Sequence, residues 1–157
     1  MRTRVVITGM GCISPLGNDA PSLWNSLLAG RSGIGPITHY DTTGHKVRIA
    51  AEVKNFDGVA IFGRGEARRM DRFSQFAVVA ARQAVEDARL TIDEQNRDRI
   101  GVMLGTGVGG LTTLFDQMPV FAQRGPDRVS PFLVPMMLPY SAPGMIAIYL
   151  GVRGINL

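Results

Sequence analysis

Ile100-Gly101-Val102-Met103-Leu104-Gly105-Thr106-Gly107-Val108-Gly109-Gly110-Leu111 reads as an apolar strand, a glycine turn and the first residue of a helix. A strand that passes through glycines into a helix is the repeating joint of α/β proteins, whose parallel strands are covered on both faces. Downstream, Leu111 to Ala122 is predicted helical. Upstream, the clearest helix is expected from about Asp71 to Arg89, with Phe73, Phe76, Ala77, Ala80, Ala84 and Ala88 at helical spacing and Arg82, Glu86 and Arg89 opposite. The small residues on its apolar face predict close packing. Residues 4–8 (Arg-Val-Val-Ile-Thr) form a second predicted strand, running into Gly9-Met10-Gly11. Asn18 and Asp19 are candidate N-caps for a short helix from Ser22 to Ala29, closed by Gly30. Ser32 to Gly63 is irregular apart from a strand expected at Val47–Val53. A short helix at Met145–Leu150 precedes Gly151, and Ile155-Asn156-Leu157 begins a further strand. The fold class is α/β, and a chain that stops as a strand starts is expected to be part of a larger one.

Gly105-x-Gly107-x-x-Gly110 also satisfies the dinucleotide fingerprint. A true Rossmann unit adds a second strand ending in an acidic residue roughly 20 residues on. Asp127 lies near that distance, but in the turn Gly125-Pro126-Asp127-Arg128, and no second strand intervenes. The competing reading is a glycine-lined backbone that something approaches closely. No Gly-Lys-Ser/Thr is present, which excludes a P-loop.

Bulk properties narrow the field. The 157 residues suffice for one core without disulfides, and the single cysteine, Cys12, allows no internal disulfide and fits a reducing, cytoplasmic compartment. Net charge is +4, and only Lys46 and Lys54 are lysines, so the basic set is dominated by arginine, suited to bidentate contacts with acidic groups. That balance is too small to argue for nucleic acid. Arg2 and Arg4 ahead of Val5-Val6-Ile7 resemble an export signal, but Gly9 and Gly11 break a run already too short. Phe132 to Leu150 is strongly apolar, yet Pro135, Pro139 and Pro143 divide it, which argues for a buried wall or subunit contact rather than a membrane helix.

Six blocks carry a family resemblance. They are Val5-Val6-Ile7-Thr8-Gly9-Met10-Gly11 with Ser14-Pro15-Leu16-Gly17-Asn18; Leu27-Leu28-Ala29-Gly30-Arg31-Ser32-Gly33-Ile34; Arg68-Arg69-Met70-Asp71-Arg72-Phe73; Gly105 to Leu111; Ser130-Pro131-Phe132-Leu133-Val134-Pro135; and Gly151-Val152-Arg153-Gly154. In this order, over nearly the whole chain, they resemble the condensing enzymes of fatty acid and polyketide synthesis, the β-ketoacyl-[acyl-carrier-protein] synthases. The Val108 and Ser130–Pro135 blocks look more like type II than type I synthases. One departure stands at Ile155, where the family usually has proline.

The resemblance implies a thiolase-like layered fold, α-β-α-β-α in the full enzyme, with residues 1–157 as most of its N-terminal half. It implies decarboxylating Claisen condensation of an acyl-cysteine thioester with malonyl-acyl carrier protein, with no metal or organic cofactor. Partners would be acyl carrier protein, through its phosphopantetheine arm, and a second subunit in a homodimer, with neither nucleic acid nor membrane. The nucleophilic cysteine is expected just after Leu157, and the histidines later still, so no catalytic residue lies within 1–157. Cys12 is therefore read as structural, and His39 and His45 as loop residues. By resemblance, Val108 gates the acyl-chain pocket, and Leu133 and Met137 reach that pocket across the dimer interface; ordinary packing is the alternative for all three. Arg64, Arg68, Arg69, Arg124 and Arg128 are candidate docking residues for the acidic carrier, against a plain solvated face. A non-catalytic chain-length-factor-like subunit shares these blocks and remains open beside the enzyme.

Overall fold

The computed structural model describes residues 3–157; Met1 and Arg2 lie outside the described residues. The chain divides into two compact units, one built from the N-terminal stretch through Phe56 with Val79–Arg89, the other from Asp57–Val78 with Leu90–Leu157.

In the first unit, helix α1 (Ala20–Leu28) starts at Asp19, whose carboxylate accepts from Ser22 N at 2.6 Å. Asn18 is not the cap: its side-chain amide donates to the carbonyls of Lys54 and Asn55. Strands β1 (Ile34–Pro36) and β2 (Ile49–Ala51) pair antiparallel, with Ile34 opposite Ala51 and Pro36 opposite Ile49. Residues 4–8, predicted as a strand, take up no regular secondary structure and join no ladder among the described residues, and Val5 and Ile7 are almost fully exposed. An isolated segment has no partner for its amides, and a strand exists only by pairing. Glycines nevertheless bring this segment against the end of helix α3 (Arg72–Asp87). A Cβ on Gly9 or Gly11 would fall on the carbonyl oxygens of Ala84 and Ala80. Cys12 N donates to Gln83 Oε1 at 3.0 Å and Met10 N to Asp87 at 2.9 Å, which replaces part of the missing ladder. The alanines of the helix are thus the receiving surface for backbone.

In the second unit, helix α2 (Gly58–Ala67) is one that composition hides. Asp57 caps it through Val59 N and Ala60 N, but Gly58, Gly63 and Gly65 dilute its periodicity, and Gly63 (φ 77°) kinks it. The first half of α3 follows, then α4 (Leu111–Arg124), α5 (Leu133–Met137) and α6 (Ser141–Leu150). Pro143 sits in the first turn of α6, where no intrahelical donor is needed, so that helix begins four residues before the predicted start. The buried centre comprises Met70, Val78, Ala142, Ile146 and Val152.

Parallel pairing, the expected hallmark of the fold, is present at one place among the described residues. Val102 bridges Asn156, with Val102 N on Ile155 O at 2.8 Å, Leu157 N on Val102 O at 2.9 Å and Leu104 N on Leu157 O at 3.0 Å. The carbonyl of Ile100 is taken by Gly154 N at 3.0 Å, not by Ile155. The position where the family usually has proline thus needs no donor to Ile100, and Ile155 is a substitution the pairing tolerates.

Candidate functional site

The Gly105–Gly110 loop is seated on the backbone that joins α5 to α6. Gly110 N donates to Met137 O at 2.9 Å, and a Cβ on Gly109 or Gly110 would collide with the carbonyls of Met137 and Met136. Gly109 also has φ 94°, which side chains rarely adopt. Gly105 and Gly107 face open space. The third glycine of the fingerprint is therefore spent on close backbone contact within the chain, which favours the close-approach reading of this motif over a pyrophosphate cradle.

At the end of this loop stands a buried carboxylate. Asp71, 3% exposed, accepts through Oδ2 from Thr113 N (2.8 Å) and Thr113 Oγ1 (2.7 Å), and through Oδ1 from Phe73 N (3.1 Å). Thr113 is the third residue of α4, and Gly110 before that helix has no side chain to cap it. One aspartate therefore caps both α3 and α4, satisfying amides that would otherwise be orphaned in the interior. Nothing in the local sequence around Thr113 signals this.

Val108 projects from the loop, 57% exposed. Leu133 and Met137 are half-buried on α5, within the segment that supports the loop. The seat ties Met137 to the loop that carries Val108, and Leu133 lies one turn away on the same short helix. Gln117 on α4 holds the start of this segment by accepting from Ser130 N at 2.7 Å.

The arginines fall on two turns. Arg64 and Arg68 are exposed in the last turn and C-cap of α2, and Gln75 fastens this corner by donating to the carbonyls of Ala67 and Met70 at 3.0 and 3.1 Å. Arg69 is more constrained, with Nη1 3.3 Å from Glu66 Oε1 and its guanidinium 5.5 Å from the centre of the Phe132 ring. Arg124 closes α4, and Arg128 lies in the 3₁₀ turn Pro126–Arg128; both are exposed. Arg69 stacked on Phe132 links the first turn to the segment that follows the second.

The remaining titratable candidates take structural places. Burial, and then the negative charge of Asp19, push the Cys12 thiol up, away from the thiolate a nucleophile needs. Cys12 does line an open groove of about 1110 Å³ with Trp24, Leu27 and Gln83. His39 and His45 are exposed, His39 4.0 Å from Glu52 and His45 ring-to-ring with Tyr40. Thr38 bonds hold the Glu52 carboxyl low. Among the described residues no helix is long and apolar enough to cross a membrane.

Residues 2–157 match the family model described as "Beta-ketoacyl synthase, N-terminal domain". The chain belongs to the β-ketoacyl synthase family. This β-ketoacyl synthase chain is 50% identical over 155 residues to 3-oxoacyl-[acyl-carrier-protein] synthase 2 of Synechocystis sp., covering 99% of the chain and 37% of that relative. It is also 50% identical over 153 residues to the protein of the same name from Staphylococcus aureus, covering 98% of the chain and again 37% of the relative. Among solved structures, the ishigamide ketosynthase/chain length factor superposes over 100% of the chain and 40% of its own, with a TM-score of 0.84 and 32% identity. The fold is thus thiolase-like, as the six blocks imply. The β-ketoacyl synthase chain spans little more than a third of the curated relatives' length.

Proposed function

We propose that this chain is the N-terminal part of a cytoplasmic, homodimeric 3-oxoacyl-[acyl-carrier-protein] synthase of fatty acid elongation. In this reading a cysteine beyond Leu157 takes the acyl chain from the carrier as a thioester. Malonyl-carrier then loses carbon dioxide, and the resulting carbanion equivalent attacks the thioester carbonyl, expelling the thiolate. Residues 3–157 supply what surrounds that chemistry: an acyl-pocket wall at Val108, Leu133 and Met137, and a basic docking rim at Arg64, Arg68, Arg69, Arg124 and Arg128.

The observation that carries the reading is the loop of Gly105–Gly110, held on the α5–α6 backbone with Val108 presented outward. Half of the residues are shared with proteins whose names state the activity. In the full-length protein, Val108→Phe is expected to shorten the longest product made from acyl- and malonyl-loaded carrier, read by mass spectrometry. Each lost methylene contact in an apolar pocket changes discrimination by about tenfold or more. An unchanged product distribution would remove Val108 from the pocket.

The docking rim is tested separately. Arg68→Glu is expected to raise KM for carrier-borne substrate about tenfold at low salt, with kcat little changed and the effect fading as salt rises. A KM that ignores both the substitution and the salt returns these arginines to an ordinary solvated face.

A second reading is favoured by one observation, the similarity to a structure that includes a chain length factor. A non-catalytic subunit of that kind would place a residue other than cysteine at the nucleophile position. Acyl adduct formation on the full-length protein, followed by intact mass, separates the two.

A further inference from the structure

We propose that Asp71 is a positioning residue that sets acyl-chain selectivity by clamping the Gly105–Gly110 loop, an inference that rests on the acyl-pocket reading of Val108. The loop has two fixed ends and a free middle. At its start, Leu104 N is bonded to Leu157 O at 3.0 Å within the parallel pairing. At its finish, Gly110 N is bonded to Met137 O at 2.9 Å, and the Gly110 α-carbon is pressed so close that an added Cβ would stand 3.0 Å from Asp71 Oδ2. That same oxygen holds both donors of Thr113, three residues on. Between the fixed ends Gly105 and Gly107 meet nothing within 4 Å, so contact at the loop's finish decides where Val108 stands.

A double helix cap alone does not explain this arrangement. Serving α3 and α4 requires only the amides of Phe73 and Thr113. The third bond, from Thr113 Oγ1 at 2.7 Å, puts a second donor on Oδ2, the oxygen against which Gly110 rests, and so holds that contact surface more firmly than the two caps need. Asp71 also follows Arg68, Arg69 and Met70 directly in the chain, so the same buried carboxylate anchors the turn that presents two of the docking arginines. Displacing it moves the loop without touching any atom of the pocket wall.

The test uses the full-length synthase and measures kcat/KM for a long and a short acyl-carrier substrate, together with Tm. In Asp71→Asn the amide can keep one set of donors but must turn its N–H2 toward the other, which opens the clamp. The long-to-short ratio is expected to shift about tenfold. Thr113→Val keeps the backbone bond and the shape while removing the hydroxyl, and should shift the ratio in the same direction by less. Thr113→Ser, which restores the hydroxyl, should return it to the wild-type value. If Asp71→Asn does not fold, the two Thr113 variants carry the test. The inference is overturned if Tm falls in Asp71→Asn or Thr113→Val while the ratio stays at the wild-type value and Val108→Phe still changes it. A ratio that Val108→Phe also leaves unchanged overturns the acyl-pocket reading first, and the inference with it.

Discussion

Residues 1–157, incubated with acyl- and malonyl-loaded carrier protein, are expected to form no β-ketoacyl product, whereas the full-length protein is expected to turn over. The stretch holds one thiol, Cys12, and its environment opposes nucleophilic use. Burial and the Asp19 carboxylate both favour the protonated form. Both histidines lie in the exposed surroundings of β1 and β2. Removing a covalent nucleophile costs on the order of a millionfold in rate, so product formation should fall to background. The complementary variant, Cys12→Ala in the full-length enzyme, should keep activity within about twofold, since a small apolar residue replaces a small half-buried one. Intact mass after acyl transfer completes the assignment: one acyl group on the full-length protein and none on residues 1–157. An acyl group on Cys12, or turnover by the short chain, would defeat the reading.

The second large effect concerns stability. Gly11→Ala and Gly9→Ala together are expected to lower the unfolding free energy of the full-length synthase by about 3 kcal/mol or more, following the usual cost of overpacking. A methyl on Gly11 lands on the Ala80 carbonyl, with Gln83 Cβ at 2.7 Å and Ala84 N at 2.8 Å. One on Gly9 lands on the Ala84 carbonyl, with Ala88 N at 2.6 Å. The nearest of these, the Ala80 and Ala84 carbonyls, are helix backbone, which cannot rotate aside as a side-chain end can. The N-terminal segment must therefore back away from α3, and the bonds from Cys12 N to Gln83 and from Met10 N to Asp87 lengthen with it. Gly35→Ala is the control: nothing lies within 4 Å of its added Cβ, so its denaturation midpoint should stay near wild type. Equal midpoints for all variants would show that the close approach contributes nothing.

The same contact shows how far a sequence can be read. Alanines at helical spacing in 71–89 announce that something approaches α3 closely, and the helix observed at Arg72–Asp87 follows that pattern. The partner, Gly9 and Gly11, was legible only as a glycine turn after a strand. Residues 4–8 carry the composition of a buried strand, but pairing is a property of two segments, and no ladder forms on them among the described residues. Helix α2 is hidden in the sequence, because its glycines erase the apolar stripe while Asp57 supplies the cap that starts it.

What the sequence determined by itself is local or cumulative: the helical periodicity of α3 and α4, the Asp19 cap, the proline breaks, and six collinear blocks that identify the family. Tertiary structure alone decided the rest. It turned the third glycine of a dinucleotide-like fingerprint into a contact with Met136, and made Asp71 the cap of a helix that begins 40 residues later. Periodicity and capping are written within a few residues, so a sequence displays them. A carboxylate's second partner depends on where the chain returns in space, and that is settled only when the elements pack.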